Sequence, residues 1–231
     1  MPRKLRFAPP DHFLHITQRG NYRQRTFFCD MDRYTTFLNI LGEHAIERHV
    51  EILAYCLMPN HYHLVAIGRQ ENSIVQFMQG LNGQYARYLH HRLDRRGRFW
   101  QDRYFSCVLD SNHLTNALRY VELNPVRSRA VKQPQAYHWS SAKAHCELAT
   151  NPLRIVPDWL NTSIFHELYG ELNWRLLLAQ GQGRQEEYEV RHATYREVPL
   201  ADSKFVEALE REFQRSLRYR PPGRPKIAMA A

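Results

Sequence analysis

No stretch of the 231-residue chain approaches the roughly 18 consecutive apolar residues of a membrane-spanning helix. Nor does an apolar run follow the N-terminal Met1-Pro2-Arg3-Lys4-Leu5-Arg6, so no secretory signal is read there. Cysteine is scarce and scattered: Cys29, Cys56, Cys107 and Cys146 form no Cys-x-x-Cys pair. That argues against a zinc finger and against a disulfide scaffold, and reduced thiols in a cytoplasmic protein are the simplest account. There is no internal repeat. Acidic residues are in deficit, with 23 Asp and Glu against 32 Lys and Arg.

That deficit leaves a formal charge of +9 and a pI near 9.6. Arginine carries most of it, in clusters such as Arg19-Gly20-Asn21-Tyr22-Arg23-Gln24-Arg25 and Arg92-Leu93-Asp94-Arg95-Arg96-Gly97-Arg98. The planar guanidinium makes forked contacts to phosphate, so a polyanionic partner is expected, the alternative being a solvated basic surface. Apolar residues make up 43%, enough for a packed core. The length suits one domain with an extension, or a medium and a small domain.

Alternation makes His12 to Thr17 a strand, and the arginine, glycine and asparagine after it a loop. A helix begins near Asp32, with Tyr34, Phe37, Leu38, Leu41 and Ala45 on one buried face. Glu51–Leu57 and His61–Ile67 read as a hairpin around Pro59-Asn60. A long amphipathic helix follows through Ile74, Phe77, Met78, Leu81, Tyr85, Tyr88 and Leu89, then a basic loop and a strand from Tyr104 to Leu109. The next helix opens at Ser111 or Asn112 and is expected to stop at Pro125. The order β-α-β-β-α-β predicts an α+β, ferredoxin-like fold: an antiparallel sheet with helices on one face and the other face free for a ligand. Past residue 150 the pattern weakens to helical stretches at Trp174–Ala179 and Ser203–Leu217. Residues 1–150 are therefore read as one domain and 151–231 as a mostly helical extension.

His61 and His63 are two apart on a strand, so they share a face at roughly 6–7 Å, while Tyr62 and Leu64 turn to the helices. Two imidazoles so placed can hold one divalent cation, but the site needs a third ligand; an ordinary pair of strand histidines is the competing reading. The helix ending Leu118-Arg119-Tyr120-Val121-Glu122-Leu123-Asn124-Pro125-Val126-Arg127 offers candidates. Tyr120 and Asn124 lie one turn apart beside the apolar stripe of Leu114, Leu118 and Val121. Laid on the open sheet face, they would present a phenol and an amide together. The amide oxygen suits Mg²⁺ or Mn²⁺. The phenol is a nucleophile for phosphoryl transfer, with an ordinary pKa near 10 that calls for help from the metal, a base or a cationic field. Against this stand a flank tyrosine that merely packs and an asparagine that merely ends a helix.

Met58-Pro59-Asn60-His61-Tyr62-His63 and Arg119–Arg127, in that order and spacing, closely resemble the REP-associated tyrosine transposases, single-tyrosine members of the HUH endonuclease superfamily. Thr17-Gln18-Arg19-Gly20-Asn21, Gly97-Arg98-Phe99-Trp100-Gln101 and Tyr137-His138-Trp139-Ser140-Ser141 match in kind, so the likeness covers about residues 10–145. It implies a ferredoxin-like catalytic core in which His61 and His63 bind the metal and Tyr120 is the nucleophile. Asn124 would be the polar metal ligand, where insertion-sequence relatives carry glutamine. It implies a transposase that cuts and rejoins single-stranded DNA bearing imperfect hairpins, such as repetitive extragenic palindromes, through a 5′-phosphotyrosine. Both monomeric and dimeric relatives exist, which leaves the oligomeric state open.

Expected DNA contacts are Arg19, Asn21, Arg23 and Arg25 in the first loop, Arg95, Arg96, Arg98 and Arg103 in the second, and Arg127 after the tyrosine. Tyr22, Phe99, Trp100 and Tyr104 either stack on bases or pack in the core. Arg224 within Pro222-Gly223-Arg224-Pro225-Lys226 resembles a minor-groove hook, the alternative being a disordered basic end. Competing functions are a rolling-circle replication initiator, a non-catalytic hairpin-binding module and a hydrolase that leaves free ends.

Overall fold

The computed structural model describes residues 6–21, 30–94, 96–148, 160, 162–169 and 173–219. Among these, β1 (Phe13–Arg19), α1 (Met31–Glu47), β2 (Val50–Met58), β3 (His61–Gly68), α2 (Ser73–Leu93) and β4 (Phe105–Leu109) follow the expected β-α-β-β-α-β order. The strands form one antiparallel sheet in the order β2-β3-β1-β4, the ferredoxin-like arrangement. Then come α3 (Ser111–Glu122), α4 (Asn124–Arg127), α5 (Ala142–Leu148), α6 (Thr162–Tyr169), α7 (Trp174–Ala179), α8 (Arg184–Arg196) and α9 (Ser203–Glu212).

The period-two pattern of the central strands divides the core in two. Leu14, Ile16, Tyr62, Leu64 and Ala66 point to α1 and α2, where they meet Phe37, Leu41, Phe77, Leu81 and Tyr85. The helices close tightly: a Cβ on Gly80 would lie 2.6 Å from the His44 ring, so α2 needs a glycine there. The sequence leaves the opposite sheet face free, but α3 and α8 cover much of it. Val65, Ile67, Cys107 and Leu109 pack there against Leu114, Ala117, Leu118 and Val121 of α3 and Ala193 of α8. At the sheet end that carries His61, His63 and Thr17 the same helices leave a cleft.

Two helix boundaries differ from expectation for local reasons. The cap of α3 is Asp110, whose carboxylate accepts from the His113 backbone N–H at 2.8 Å, rather than Ser111 or Asn112. At its other end α3 stops at Glu122, and Pro125 sits in the first turn of α4 instead of ending a helix. A proline has no N–H to lose in a first turn, so it starts a helix as readily as it stops one. Leu123, with φ −82° and ψ −5°, keeps the two segments nearly continuous.

A buried carboxylate ties α3 to the following helices. Glu122 is fully buried and accepts from Ser141 Oγ at 2.5 Å, His145 Nδ1 at 2.6 Å and Trp174 Nε1 at 2.7 Å. Such a group is tolerable inside only because every strong donor around it is used. This positions the helix that carries Tyr120.

Candidate active site

Strand register sets the geometry first. Arg19 pairs with His61 and Thr17 with His63, so the two histidines share the sheet face that α3 and α8 partly cover. Their ring centroids are 5.0 Å apart. Nδ1 of His61 lies 2.6 Å from Asn60 Oδ1, in the turn joining β2 to β3, and the His61 side chain also hydrogen-bonds Asn124. His63 stacks on His15 of β1 with centroids 5.1 Å apart, and His63 Nδ1 lies 3.0 Å from His15 Nε2.

Helix α3 brings Tyr120 over these rings, edge-on to His63 at 5.4 Å and to His15 at 5.5 Å. Arg127, one turn into the next helical segment, lies with its guanidinium carbon 4.3 Å from the Tyr120 ring centroid and donates to the Tyr120 carbonyl. Its Nη1 reaches toward Gln182 Oε1 at 3.4 Å and Glu187 Oε1 at 3.6 Å. His61, His63, Tyr120 and Asn124 all line one cleft of about 650 Å³, together with Thr17, Arg19, Gln101, Arg103, Arg127, Arg191 and Tyr195 among others. They meet within a single chain.

Burial dominates the electrostatics. It lowers the His15 pKa from 6.5 to about 3, with the Arg127 charge acting the same way. Burial, then the Arg19 charge, takes His61 to about 4 against the opposing effect of its hydrogen bond with Asn124. Burial, then the neighbouring imidazoles and arginines, holds His63 well below the usual range. All three rings are therefore neutral at pH 7. Burial raises the Tyr120 phenol, while the Arg127 and Arg191 charges pull it back down.

Neutral imidazoles are what a cation requires. Asn60 occupies Nδ1 of His61 and leaves its other nitrogen on the Asn124 side. Among the described residues no group of three or more His, Cys, Asp and Glu can hold a metal; here a third donor would have to be the Asn124 amide. Two imidazole nitrogens and one amide oxygen fit a divalent cation that keeps water at its remaining positions. This donor set suits Mn²⁺ better than Mg²⁺, which favours oxygen throughout.

The expected DNA contacts are distributed unevenly. Arg19 and Arg103 line the cleft, and Nε of Arg19 is buried with no hydrogen-bond partner among the described residues. Arg127 lines it too, but turned onto Tyr120. Asn21 spends its side-chain amide on the Arg98 carbonyl at 3.1 Å, pinning the first loop to the second. Arg96 and Arg98 are exposed. Arg23, Arg25, Arg95 and Arg224 lie outside the described residues, as does Tyr22. Trp100 and Tyr104 belong to the core, Trp100 donating to the Asn82 carbonyl at 2.9 Å, so packing rather than base stacking accounts for both. Sequence reasoning missed His15, Arg191, Thr194 and Tyr195. His15 shares strand parity with Thr17, which marks its face but not its neighbour.

Residues 10–124 match the family model for IS200-like transposases. No curated protein matches significantly. A solved structure of a REP-associated tyrosine transposase bound to a REP hairpin superposes with a TM-score of 0.55 at 17% identity, over 70% of this chain and 94% of that one. A Deinococcus radiodurans R1 protein assigned as a transposase gives a TM-score of 0.39 at 20% identity, over 52% of this chain and 96% of that one.

Proposed function

Because residues 10–124 belong to the IS200-like transposase family, we propose that this chain is a metal-dependent, single-tyrosine transposase that cuts and rejoins hairpin-bearing single-stranded DNA. One observation carries the reading: His61 and His63 of one strand and Tyr120 and Asn124 of two successive helices, far apart in sequence, line the same cleft. Residues 1–150 would hold the reacting groups, with 151–231 as the extension. The REP hairpin in the structurally similar transposase makes an imperfect palindrome of that kind the substrate to try first.

In this reading the oxygen of Tyr120 attacks phosphorus in line, the P–O3′ bond breaks, and the departing 3′-oxygen takes up a proton. The 5′-phosphate stays esterified to Tyr120, so the bond energy is kept and a second 3′-hydroxyl can reverse the step. A bound Mg²⁺ or Mn²⁺ held by His61, His63 and Asn124 would supply Lewis-acid polarisation of the scissile phosphate. The protein's own groups do the remainder. Arg127 and Arg191 place positive charge beside the phenol, countering the rise that burial imposes on its pKa. Arg19, whose Nε has no hydrogen-bond partner among the described residues, supplies a guanidinium at the cleft for the phosphate. Arg96, Arg98 and Arg103 extend that positive surface toward the flanking strand.

The test is a denaturing gel of wild-type protein and Tyr120→Phe after incubation with a 3′-labelled hairpin oligonucleotide and Mn²⁺. Wild type is expected to give a covalent protein–DNA band that the variant lacks. A band of equal intensity in the variant overturns Tyr120 as nucleophile. Cleavage to a free 5′-phosphate with no band favours hydrolysis instead.

A further inference from the structure

The nitrogen of His63 that faces the cleft is governed from the far end of the chain. Thr194 of α8 is fully buried, and its Oγ1 lies 2.7 Å from the Val190 carbonyl, 2.7 Å from His15 Nδ1 and 3.3 Å from Cys107 Sγ. A threonine hydroxyl has one proton and two lone pairs, so it can satisfy these three neighbours in only a few ways. The Val190 carbonyl has no proton to give, and at 2.7 Å two bare oxygens would repel. The Thr194 proton therefore points to Val190. Its lone pairs must then accept from His15 Nδ1–H and from the Cys107 thiol, which burial keeps protonated by raising it to about 12.

The rest follows by bookkeeping. With Nδ1 of His15 carrying the proton of a neutral ring, His15 Nε2 is bare. It lies 3.0 Å from His63 Nδ1, so it accepts, and His63 Nδ1 must be the protonated nitrogen. Nε2 of His63 is left with its lone pair. The opposite chain of donors would put a proton on His63 Nε2, where a cation would have to expel it.

We propose that Thr194 and His15 are positioning residues that lock His63 in its Nδ1–H tautomer and so present its Nε2 lone pair to the metal. This rests on the metal reading of His61, His63 and Asn124. It assigns the C-terminal extension a part in building the site, because α8 supplies the threonine and the Val190 carbonyl that set the direction of the whole chain of hydrogen bonds. Partners of this kind, one bond behind a metal ligand, are worth about 10–100-fold in metal affinity.

The test uses the full-length, metal-free protein, labelled with nitrogen-15, and long-range nitrogen–proton correlation spectra of its imidazoles near neutral pH. His15 and His63 are both expected as neutral Nδ1–H rings. An Nε2–H signal for His63 overturns the proposal without touching the metal reading. The second measurement is Mn²⁺ affinity by calorimetry. Thr194→Val is expected to weaken binding about 10–100-fold, and Thr194→Ser, which keeps the hydroxyl, to restore most of it. A folded Thr194→Val that binds Mn²⁺ like wild type overturns the relay alone. A wild-type protein with the expected tautomers and no Mn²⁺ binding overturns the metal reading, and the purpose assigned to the relay with it. Should Thr194→Val not fold, the wild-type tautomers decide.

Discussion

Acidification from about pH 7.5 to about pH 5 should destabilise the metal-free protein steeply, and the size can be worked from the buried histidines. His15 has its pKa lowered from 6.5 to about 3, and His61 from 6.5 to about 4. In the unfolded chain both titrate near 6.5; in the folded chain both stay neutral well below that. The unfolded state therefore binds more protons throughout this window, so stability is whole above pH 6.5 and is lost as pH falls toward the folded values. At 1.36 kcal/mol per pKa unit, the 1.5 units between 6.5 and 5 give about 2 kcal/mol for each ring, or about 4 kcal/mol together. His63 shifts the same way and adds to the loss. Carboxylates with depressed values, Asp30 and Asp110, lose their contribution only below this range, so they do not blur it. The assay is urea denaturation in the presence of a chelator at both pH values, for wild type and for His15→Gln. The glutamine keeps an acceptor and a donor but does not titrate, so it should remove about 2 kcal/mol of the pH-dependent loss. A wild-type midpoint that is flat with pH, or an unchanged loss in His15→Gln, refutes the buried neutral cluster.

Arg127→Met should slow formation of the covalent adduct and move its pH profile upward, because the charge that lowers the phenol is gone, while hairpin affinity in a gel-shift assay is kept; weakened affinity with an unchanged rate at saturation would make Arg127 a phosphate contact instead. Glu122→Ala strands the Ser141, His145 and Trp174 donors in the interior and should cost about 3–5 kcal/mol in denaturant titration; a loss under about 1 kcal/mol would show that the node is dispensable. Gly80→Ala gains about 1 kcal/mol of helix propensity but drives a methyl into the His44 ring, which Gln84 holds at 2.8 Å, so the melting temperature should fall, and a rise would show that α1 and α2 are not packed that closely.

What was legible in the sequence was local. Alternation in His61–Ile67 put both histidines on one face and Tyr62 on the other, where it is fully buried against Phe37 and Trp100. The four-residue spacing of Tyr120 and Asn124 survived the break at Leu123, because two short helices that share an αR joint keep nearly the same rotation. What was illegible depended on distant partners. Trp100 and Tyr104 carry no sign of whether a base or a core will receive their rings. His15 looks like any strand histidine until the register sets it beside Cys107 and opposite Val65. Helix α8 is the largest omission: only Val190, Ala193 and Thr194 are buried along its thirteen residues, too few to stand out as an apolar stripe.

That omission matters because α8 belongs to the site as well as to the extension. Its exposed edge contributes Arg191 and Tyr195 to the cleft, and its buried edge contributes Ala193 to the core beneath and Thr194 to His15. Just beyond it, Leu200 donates to the Val108 carbonyl and lies alongside β4, the edge strand that flanks β1. Before it, Trp174 completes the set of donors to Glu122 under the tyrosine helix. The extension therefore touches both supports of the proposed chemistry, the strand behind the metal ligand and the helix behind the nucleophile. A chain cut at residue 150 would keep His61, His63, Tyr120 and Asn124. It would also leave His15 Nδ1–H without its acceptor and the Glu122 carboxylate one donor short, both in the interior. The residues proposed to react are gathered in the first two thirds of the chain, but the hydrogen bonds that would aim them close only through the last third.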